Sequence, residues 1–246
     1  MTNFRLTIEY DGSGYHGWQR QADAATIQSE IETAIQILVQ KPITLIASGR
    51  TDSGVHARGQ VAHFHCQTRL LPAQLQRGLN SLLPDDIVIR ECAEAPDSFH
   101  ARYDARGKIY HYHILNDPVP IALGRQYVWH IERHLNTDHM ALGLKTLVGT
   151  HDFKAFESTG STRTHTIRTI FDATIRIENG GKLVIEVLGN GFLRCMVRNI
   201  VGTLVDVGTG RFQPDRIGQI LSSGDRRQAG TTAPAHGLFL MKVLYD

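Results

Sequence analysis

Gly49-Arg-Thr-Asp-Ser-Gly-Val-His-Ala57 is a polar turn that leads directly into a strand-like segment of alternating residues, 59–66. Its two glycines allow a sharp turn and the close approach of another group to the backbone. The hydroxyls of Thr51 and Ser53 can hydrogen-bond neighbouring amides, so the turn displays the carboxylate of Asp52 between them. Two interpretations fit this composition: a surface turn, or a loop that presents a catalytic acid.

The spacing of apolar residues on either side of this turn predicts the other elements. Alternation indicates a strand, and a spacing of three to four residues indicates a helix. Strands are predicted at residues 4–10, 43–47, 59–66, 86–91, 108–115, 166–177, 183–188 and 238–245, and helices at 26–38, 72–82, 138–148, 192–207 and 214–221. Asn179-Gly-Gly181 is typical of a hairpin turn. Strands and helices in both halves, without a strict βαβ repeat, predict an α+β fold with mixed or antiparallel sheets.

The length of the chain allows one large domain or two smaller ones. With 246 residues, two domains would have about 120 residues each, enough for a core in either case. We place a boundary near residues 104–107, which gives an N-terminal domain 1–105 with the Asp52 loop and a C-terminal domain 106–246. The looser repetition of strands and helices in the second half suggests that the two domains are related.

Composition indicates a soluble globular protein, since 41% of the residues are hydrophobic and 20% are charged. No apolar run approaches the roughly 18 residues of a membrane span, and the first residues carry no signal-peptide pattern, so we expect a cytoplasmic protein. The three cysteines are Cys66, Cys92 and Cys195. They are widely separated and form no CxxC pair, which argues against a disulfide framework and a zinc knuckle.

The net charge of +2 is too mild to establish a nucleic-acid partner, but the basic residues are clustered. The clusters are Arg50 and Arg58; Arg102, Arg106 and Lys108; Arg163 and Arg168; and Arg194 and Arg198. They are either ordinary surface or the binding site of a polyanion. In the predicted helix 192–207, Arg194 and Arg198 lie one turn apart near the N-terminus, where the helix dipole disfavours cations. That placement favours an anionic partner, either an Asp or a phosphate.

The thirteen histidines raise a second possibility, a metal-dependent hydrolase. Three pairs have a spacing that a metal could use: His63 and His65, His111 and His113, and His130 and His134. No HExxH motif or suitably spaced carboxylate completes such a site, and alternating histidines on a strand share a face without any metal. Asp11-Gly-Ser-Gly14 lacks the remainder of a phosphate-binding loop, so we expect no nucleotide cofactor.

Five segments, taken in order and spacing, resemble the signature segments of the tRNA pseudouridine synthase A family. They are Tyr10-Asp-Gly-Ser-Gly-Tyr-His-Gly-Trp-Gln19, the turn 49–57, Lys108-Ile-Tyr-His-Tyr112, Phe192-Leu-Arg-Cys-Met-Val-Arg198 and Ala233-Pro-Ala-His-Gly-Leu238. The resemblance extends from residue 4 to residue 245. Ser53 departs from it, because the family more often has Ala there, and Ser48 stands where a smaller residue is usual.

The resemblance implies the pseudouridine synthase fold, with two related α+β domains flanking a basic RNA-binding cleft, and the isomerisation of uridine to pseudouridine in tRNA without a cofactor or metal. Asp52 matches the essential carboxylate, which acts as a nucleophile on ribose or uracil or as a base at C2′. Arg198 matches the cation that keeps this carboxylate ionised. Tyr110 matches the tyrosine on which the base stacks and which accepts a proton near C5, whereas we expect Tyr112 to serve packing. Arg50 matches the residue that fills the space left by the flipped base.

The family also implies uridines 38, 39 and 40 of the anticodon stem-loop as substrate, and a homodimer. We expect the phosphate contacts to come from Arg58, Arg102, Arg106, Lys108, Arg163, Arg168 and Arg194. Two alternatives stay open: a pseudouridine synthase that acts on another RNA or position, and a non-catalytic RNA-binding protein of the same fold. His56, beside the loop, either orients it or packs beneath it.

Overall fold

The computed structural model describes residues 1–160 and 165–245, which form two compact units. Unit 1 comprises Met1–Arg106 together with the chain from Phe239 onward, and unit 2 comprises Gly107–Leu238. The sequence analysis placed all residues after 105 in the C-terminal domain, whereas the structure groups the last strand with unit 1. It belongs to unit 1 because Phe239 and Leu240 pair in parallel with His56 and Ala57.

The described residues form ten strands and five α-helices. The strands are β1 (Thr2–Tyr10), β2 (Ile46–Ala47), β3 (His56–Cys66), β4 (Ile87–Ala95), β5 (Gly107–Asn116), β6 (Trp129–Ile131), β7 (Gly149–Asp152), β8 (Ile167–Glu178), β9 (Lys182–Gly189) and β10 (Leu238–Leu244). The helices are α1 (Ile27–Val39), α2 (Pro72–Leu82), α3 (Thr137–Lys145), α4 (Met196–Gly208) and α5 (Arg216–Ser223). None of the helices in the described part of the chain is long and apolar enough to span a membrane.

Unit 1 is built on a mixed sheet in the order β4-β1-β3-β10. β1 pairs antiparallel with both β3 and β4, β2 adds to β3, and β10 lies parallel to β3. Helix α1 buries Ile27, Ile31 and Ile35, whose spacing puts them on one face, and α2 buries Leu75 and Leu79 in the same way. Because β1 and β3 run antiparallel, Tyr10 at the end of β1 lies beside Ala57 at the start of β3.

Unit 2 is also built on a mixed sheet, in the order β5-β9-β8-β7 with β6 parallel to β5. The pairs β5–β9, β9–β8 and β8–β7 are antiparallel. Helix α4 is buried along most of its length, including Ile200 and Leu204, because α3 and the segment 231–233 pack against it. The unit therefore has a core of its own, and the α+β class expected from the sequence is confirmed.

Three predicted elements are shorter in the structure. The helix predicted at 138–148 ends at Lys145. The strand predicted at 43–47 is reduced to Ile46–Ala47, because the backbone of Leu45 instead hydrogen-bonds the side chains of Gln28 and Glu32 on α1. The helix predicted at 192–207 begins only at Met196, for a reason given below. Strands β6 and β7 were not predicted.

Candidate functional site

The Asp52 loop is fastened from one side by residues of the preceding segment, 10–18. The Tyr10 hydroxyl lies 2.7 Å from Thr51 Oγ1, and the Trp18 amide donates to the Thr51 carbonyl at 3.1 Å. On the far side of Asp52, the Ser53 hydroxyl donates to the carbonyl of Tyr15 at 3.0 Å. Both neighbours of Asp52 are therefore tied to the same segment, which explains why the two motifs occur together.

Two glycines of segment 10–18 make this contact possible. A Cβ on Gly12 would lie 2.1 Å from the carbonyl oxygen of Val55, and one on Gly17 would lie 2.8 Å from that of Thr51. Gly17 also has φ +93°, a conformation that other residues rarely adopt. The backbone of segment 10–18 therefore approaches the loop more closely than any side chain would allow.

Beneath the loop lies a buried glutamine from β3. Gln60 is fully buried; its Nε2 donates to the carbonyl of Gly49 at 3.0 Å, and its Oε1 accepts from the Ser48 hydroxyl at 2.8 Å. A buried amide that used only one of its two ends would be costly, so this geometry fixes the position of Gly49 and Ser48 relative to β3.

His56 links the same two segments from the end of the loop. Its ring is 1% exposed and stacks on Phe239, with a centroid separation of 4.7 Å. Nδ1 lies 3.1 Å from the amide of Gly12 and 3.0 Å from a carboxylate oxygen of Asp11. One ring nitrogen serves only one of them at a time: without a hydrogen Nδ1 accepts from the Gly12 amide, and with a hydrogen it donates to Asp11. His56 thus both packs and connects.

Asp52 itself is partly exposed at the tip of this framework, and Arg50 is exposed. The loop closes with the Val55 amide donating to the Asp52 carbonyl at 3.2 Å. The arrangement presents one carboxylate and one guanidinium on a turn whose backbone is held by hydrogen bonds, a suitable support for a group that must meet a ligand.

In unit 2, Tyr110 and Tyr112 lie on β5. Tyr110 is 8% exposed and its ring meets that of Phe192 edge to face, with centroids 5.0 Å apart. Tyr112 is fully buried, and its hydroxyl donates to the carbonyl of Pro234 at 2.7 Å. Burial raises the pKa of the Tyr112 hydroxyl, so this group remains a hydrogen-bond donor at neutral pH. Its packing role agrees with the expectation for Tyr112.

Arg194 and Arg198 do not share a helix face, contrary to the sequence prediction. Cys195 caps α4 with φ 56°, and this left-handed residue separates Arg194 from the helix. The exposed Arg194 donates to the carbonyl of Thr159 at 2.9 Å. Arg198, half-buried in the first turn of α4, donates through Nε to the carbonyl of Ala233 at 2.8 Å, and the Ala233 amide returns a bond to the Arg198 carbonyl at 3.1 Å.

Several predicted basic residues of unit 2 gather around the connection from β9 to α4. Lys108 lies opposite Gly189 in the sheet. Arg168 has its Nε 3.7 Å from the position of a Cβ on Gly191. With Arg194 on the connection itself and Arg198 in the first turn of α4, four of these basic residues lie around residues 189–198. Arg163 lies outside the described residues.

The predicted basic residues of unit 1 are more dispersed. Arg58, Arg102 and Arg106 are all exposed. Arg102 follows Ala101, whose amide donates to His63 Nδ1 at 3.1 Å. His63 is seven residues beyond His56 on β3, so Arg102 lies roughly 20 Å from the Asp52 loop at the usual rise of a strand. The structure does not bring Arg102 together with the loop.

The histidine pairs have structural partners. Burial and the nearby His100 and His65 lower the pKa of His63 to about 4, so the ring is neutral and accepts from Ala101. His111 Nε2 lies 2.6 Å from Glu186 across β5 and β9. In residues 1–160 and 165–245, no group of three or more His, Cys, Asp or Glu side chains is arranged to hold a metal ion.

Sequence reasoning did not find the residues that support the loop, namely Tyr10, Gln60 and Trp18, nor the contact between Phe192 and Tyr110. Tyr10 and Trp18 belong to a segment that the family resemblance had marked, which was the available signal. Their partners are distant in the chain, so no local pattern indicates the pairing.

Comparisons with known proteins identify the same family that the motifs resemble. A family model described as tRNA pseudouridine synthase matches residues 6–104 and 144–246. The tRNA pseudouridine synthase A of Thermoanaerobacter sp. (strain X514) is 47% identical over 245 residues, covering 100% of each chain. That of Acetivibrio thermocellus is 47% identical over 246 residues, also covering 100% of each chain. A solved Cbf5-Nop10-Gar1 complex covers 82% of this chain and 54% of its own at 12% identity, but its TM-score of 0.35 is too low to support a conclusion.

Proposed function

The chain belongs to the tRNA pseudouridine synthase family, and from this premise we propose that it modifies uridines 38, 39 and 40 of the anticodon stem-loop. It is an isomerase that converts uridine to pseudouridine in tRNA. The identity of 47% along the whole chain is the observation that carries the proposal. Because three neighbouring positions are modified, the enzyme recognises the shape of the stem-loop more than base edges.

In the isomerisation, the bond between N1 and C1′ breaks, the uracil turns, and C5 bonds to the same C1′. The hydrogen on C5 leaves as a proton and N1 takes one up, so substrate and product have the same composition. The proposed catalytic carboxylate is Asp52, which attacks ribose or uracil or removes the C2′ proton. A partly exposed carboxylate on a fixed loop suits each of these roles, since the substrate reaches it without a rearrangement of the backbone.

We assign the supporting chemistry to three further residues. A carboxylate that loses its water when the substrate binds needs a cation to stay ionised, and Arg198 supplies it. Tyr110 stacks on the flipped uracil and accepts a proton near C5, and its edge-to-face contact with Phe192 fixes the ring plane. Arg50, exposed two residues before Asp52, enters the space that the flipped base leaves.

Phosphate contacts are assigned to Arg58, Arg102, Arg106, Lys108, Arg163, Arg168 and Arg194. Such contacts position RNA without reading its sequence, so the loss of one should weaken binding and reduce its dependence on salt. A separation of roughly 20 Å between Arg102 and the Asp52 loop is compatible with a stem-loop that spans several base pairs.

Two further features are proposed with this function. The enzyme works in the cytoplasm, where its tRNA substrate is processed, and it acts as a homodimer that binds one tRNA across both subunits. Sedimentation of the protein alone and with tRNA measures the second feature directly; a monomer that turns over normally would refute it.

Tritium release tests the function. Transcripts of tRNA labelled with [5-³H]uridine lose the label when C5 bonds to C1′, and we expect release by the wild type and none by Asp52→Asn. A transcript with cytidine at positions 38, 39 and 40 should release no label from those sites. If the wild-type enzyme released label from that transcript as fast as from the unaltered one, the modified uridines would lie at other positions.

Two tyrosine variants separate chemistry from folding. Tyr110→Phe keeps the ring and removes the proton acceptor, so kcat should fall while tRNA affinity is retained. Tyr112→Phe loses only its bond to Pro234, which costs roughly 1 kcal/mol of stability and should leave kcat unchanged. An equal loss of kcat in both variants would contradict the role given to Tyr110.

A further inference from the structure

We propose that Tyr10 and Thr51 are positioning residues for Asp52. Through their hydroxyls they set the geometry of the loop for the chemical step, without touching the substrate. This inference rests on the proposed catalytic role of Asp52. It concerns residues of unit 1 alone.

The hydroxyl pair is sheltered from water. Tyr10 is 3% exposed and Thr51 is 8% exposed, and the two oxygens are 2.7 Å apart. Burial raises the pKa of Tyr10 to about 12, so its hydroxyl stays protonated throughout the physiological range. A neutral hydrogen bond with no water to replace it holds the Thr51 side chain in one rotamer.

Thr51 is fixed at two points. Its hydroxyl pairs with Tyr10, and its carbonyl accepts from Trp18 at 3.1 Å. These two bonds fix the peptide plane that leads into Asp52, and so the direction in which its carboxylate leaves the backbone. Gln60 adds a further anchor at Gly49, two residues earlier.

The side chain after Asp52 is tied as well. The Ser53 hydroxyl donates to the Tyr15 carbonyl at 3.0 Å, and the Ser48 hydroxyl donates to Gln60 at 2.8 Å. Each of these serines adds to the support of the loop a hydrogen bond that an alanine at its position could not make.

A support of this kind affects the rate more than binding. Reacting atoms must come within a few tenths of an ångström of the productive geometry, and a misplacement of 1 Å can reduce a rate about 100-fold. Binding of tRNA, by contrast, is spread over many phosphate contacts. Loss of the hydroxyl pair should therefore lower kcat and leave KM nearly unchanged.

The test uses the full-length enzyme in the tritium-release assay, with thermal unfolding as a second readout. We expect Tyr10→Phe and Thr51→Val each to lower kcat by about 10-fold or more, with KM within about 3-fold of wild type. Thr51→Ser retains the hydroxyl and should restore most of the rate. Because the two groups act as a pair, the double variant Tyr10→Phe/Thr51→Val should be no slower than the worse single variant.

Tyr245→Phe is the matched control. It removes one tyrosine hydroxyl of the same unit, which donates to the carbonyl of Ala101 at 2.7 Å, away from the loop. It should lower the melting temperature about as much as Tyr10→Phe and leave kcat unchanged. A wild-type kcat for Tyr10→Phe, or an equal fall for Tyr245→Phe, would overturn the inference. Failure of the proposed function itself would show differently, as tritium release by Asp52→Asn.

Discussion

Gly202 on α4 lies directly against the carbonyl of Thr231: a Cβ on Gly202 would be 1.7 Å from that oxygen. The helix backbone and the segment 231–233 therefore touch with no side chain between them. Ala233 of this segment exchanges two hydrogen bonds with Arg198, one turn before Gly202 on the same helix. Because position 202 has no side chain, the segment 231–233 can lie close enough to α4 for Ala233 to bond Arg198.

Gly202→Ala should therefore destabilise the protein, although alanine is the better helix former. No flexible side chain can move aside, because the clash is with backbone, and we expect a cost of at least about 2 kcal/mol. Gly218→Ala on α5 is the control, since nothing lies within 4 Å of its Cβ position. That change should be neutral or stabilising by roughly 0.5–1 kcal/mol. Urea unfolding measures both; similar midpoints for the two variants would contradict the packing argument.

Asn199 is a buried crosslink that holds α4 to two other segments. Its Nδ2 donates to the carbonyl of Phe156 at 2.8 Å, and its Oδ1 accepts from Thr232 at 2.7 Å and from Arg226 at 3.0 Å. Asn199→Leu keeps the branching of the side chain but is larger and leaves these partners unsatisfied, so we expect a loss of roughly 2–4 kcal/mol.

A double-mutant cycle with Arg226 checks this prediction by chemical denaturation. Arg226→Met alone removes the donor, and in the Asn199→Leu background its additional cost should be smaller, because part of its bonding is already lost. Strictly additive costs would indicate that the two side chains act independently.

The parts of the fold that local periodicity specifies were predicted from the sequence. The hairpin between β8 and β9 turns at Gly180 and Gly181, with φ 74° and 72°, as the residue types indicate. The start of α4 was not predictable in this way. Phe192 and Met196 have helical spacing, but Cys195 adopts a left-handed conformation that its residue type disfavours, so the packing around it decides the boundary.

In the candidate site, too, the residues within local motifs were predicted, whereas the long-range contacts that support them were not. The residues to which we assign the chemistry, such as Asp52 and Tyr110, stand in recognisable motifs, and the family that these motifs indicated is confirmed. The pairing of Tyr10 with Thr51 spans 41 positions and depends on the antiparallel register of β1 and β3. No local pattern contains that register. The parallel pairing of β10 with β3 also joins distant parts of the chain, so a boundary drawn from local patterns leaves the last strand with the second half.

His63 makes the stability of unit 1 depend on pH. Burial, with His100 and His65 nearby, lowers its folded pKa to about 4 from an ordinary value of 6.5, while a hydrogen bond with the backbone of Ile46 and the charge of Asp104 act in the other direction. Above pH 6.5 both states are neutral, and as the pH falls toward 4 only the unfolded state gains a proton. Stability should therefore fall across this window, by up to roughly 3 kcal/mol.

His63→Asn keeps an acceptor for Ala101 and removes the titration. Between pH 6.5 and 4.5 the melting temperature of this variant should fall less than that of the wild type. All other titrating groups are the same in the two proteins, so the difference reports on His63. His134→Asn, at an exposed position, should follow the wild type. Parallel curves for wild type and His63→Asn would contradict the assignment.

The close approach of segment 10–18 to the Asp52 loop makes a prediction for two neighbouring glycines. A Cβ on Gly12 would lie 2.1 Å from the Val55 carbonyl, whereas nothing lies within 4 Å of the corresponding position on Gly14. Gly12→Ala must push the loop away and also disturb the bond between the Gly12 amide and His56, so we expect kcat to fall by about 100-fold or more. Gly14→Ala should have wild-type kcat. Tritium release under saturating tRNA measures both, and because the two changes are chemically identical, comparable rates would mean that the loop does not depend on this contact.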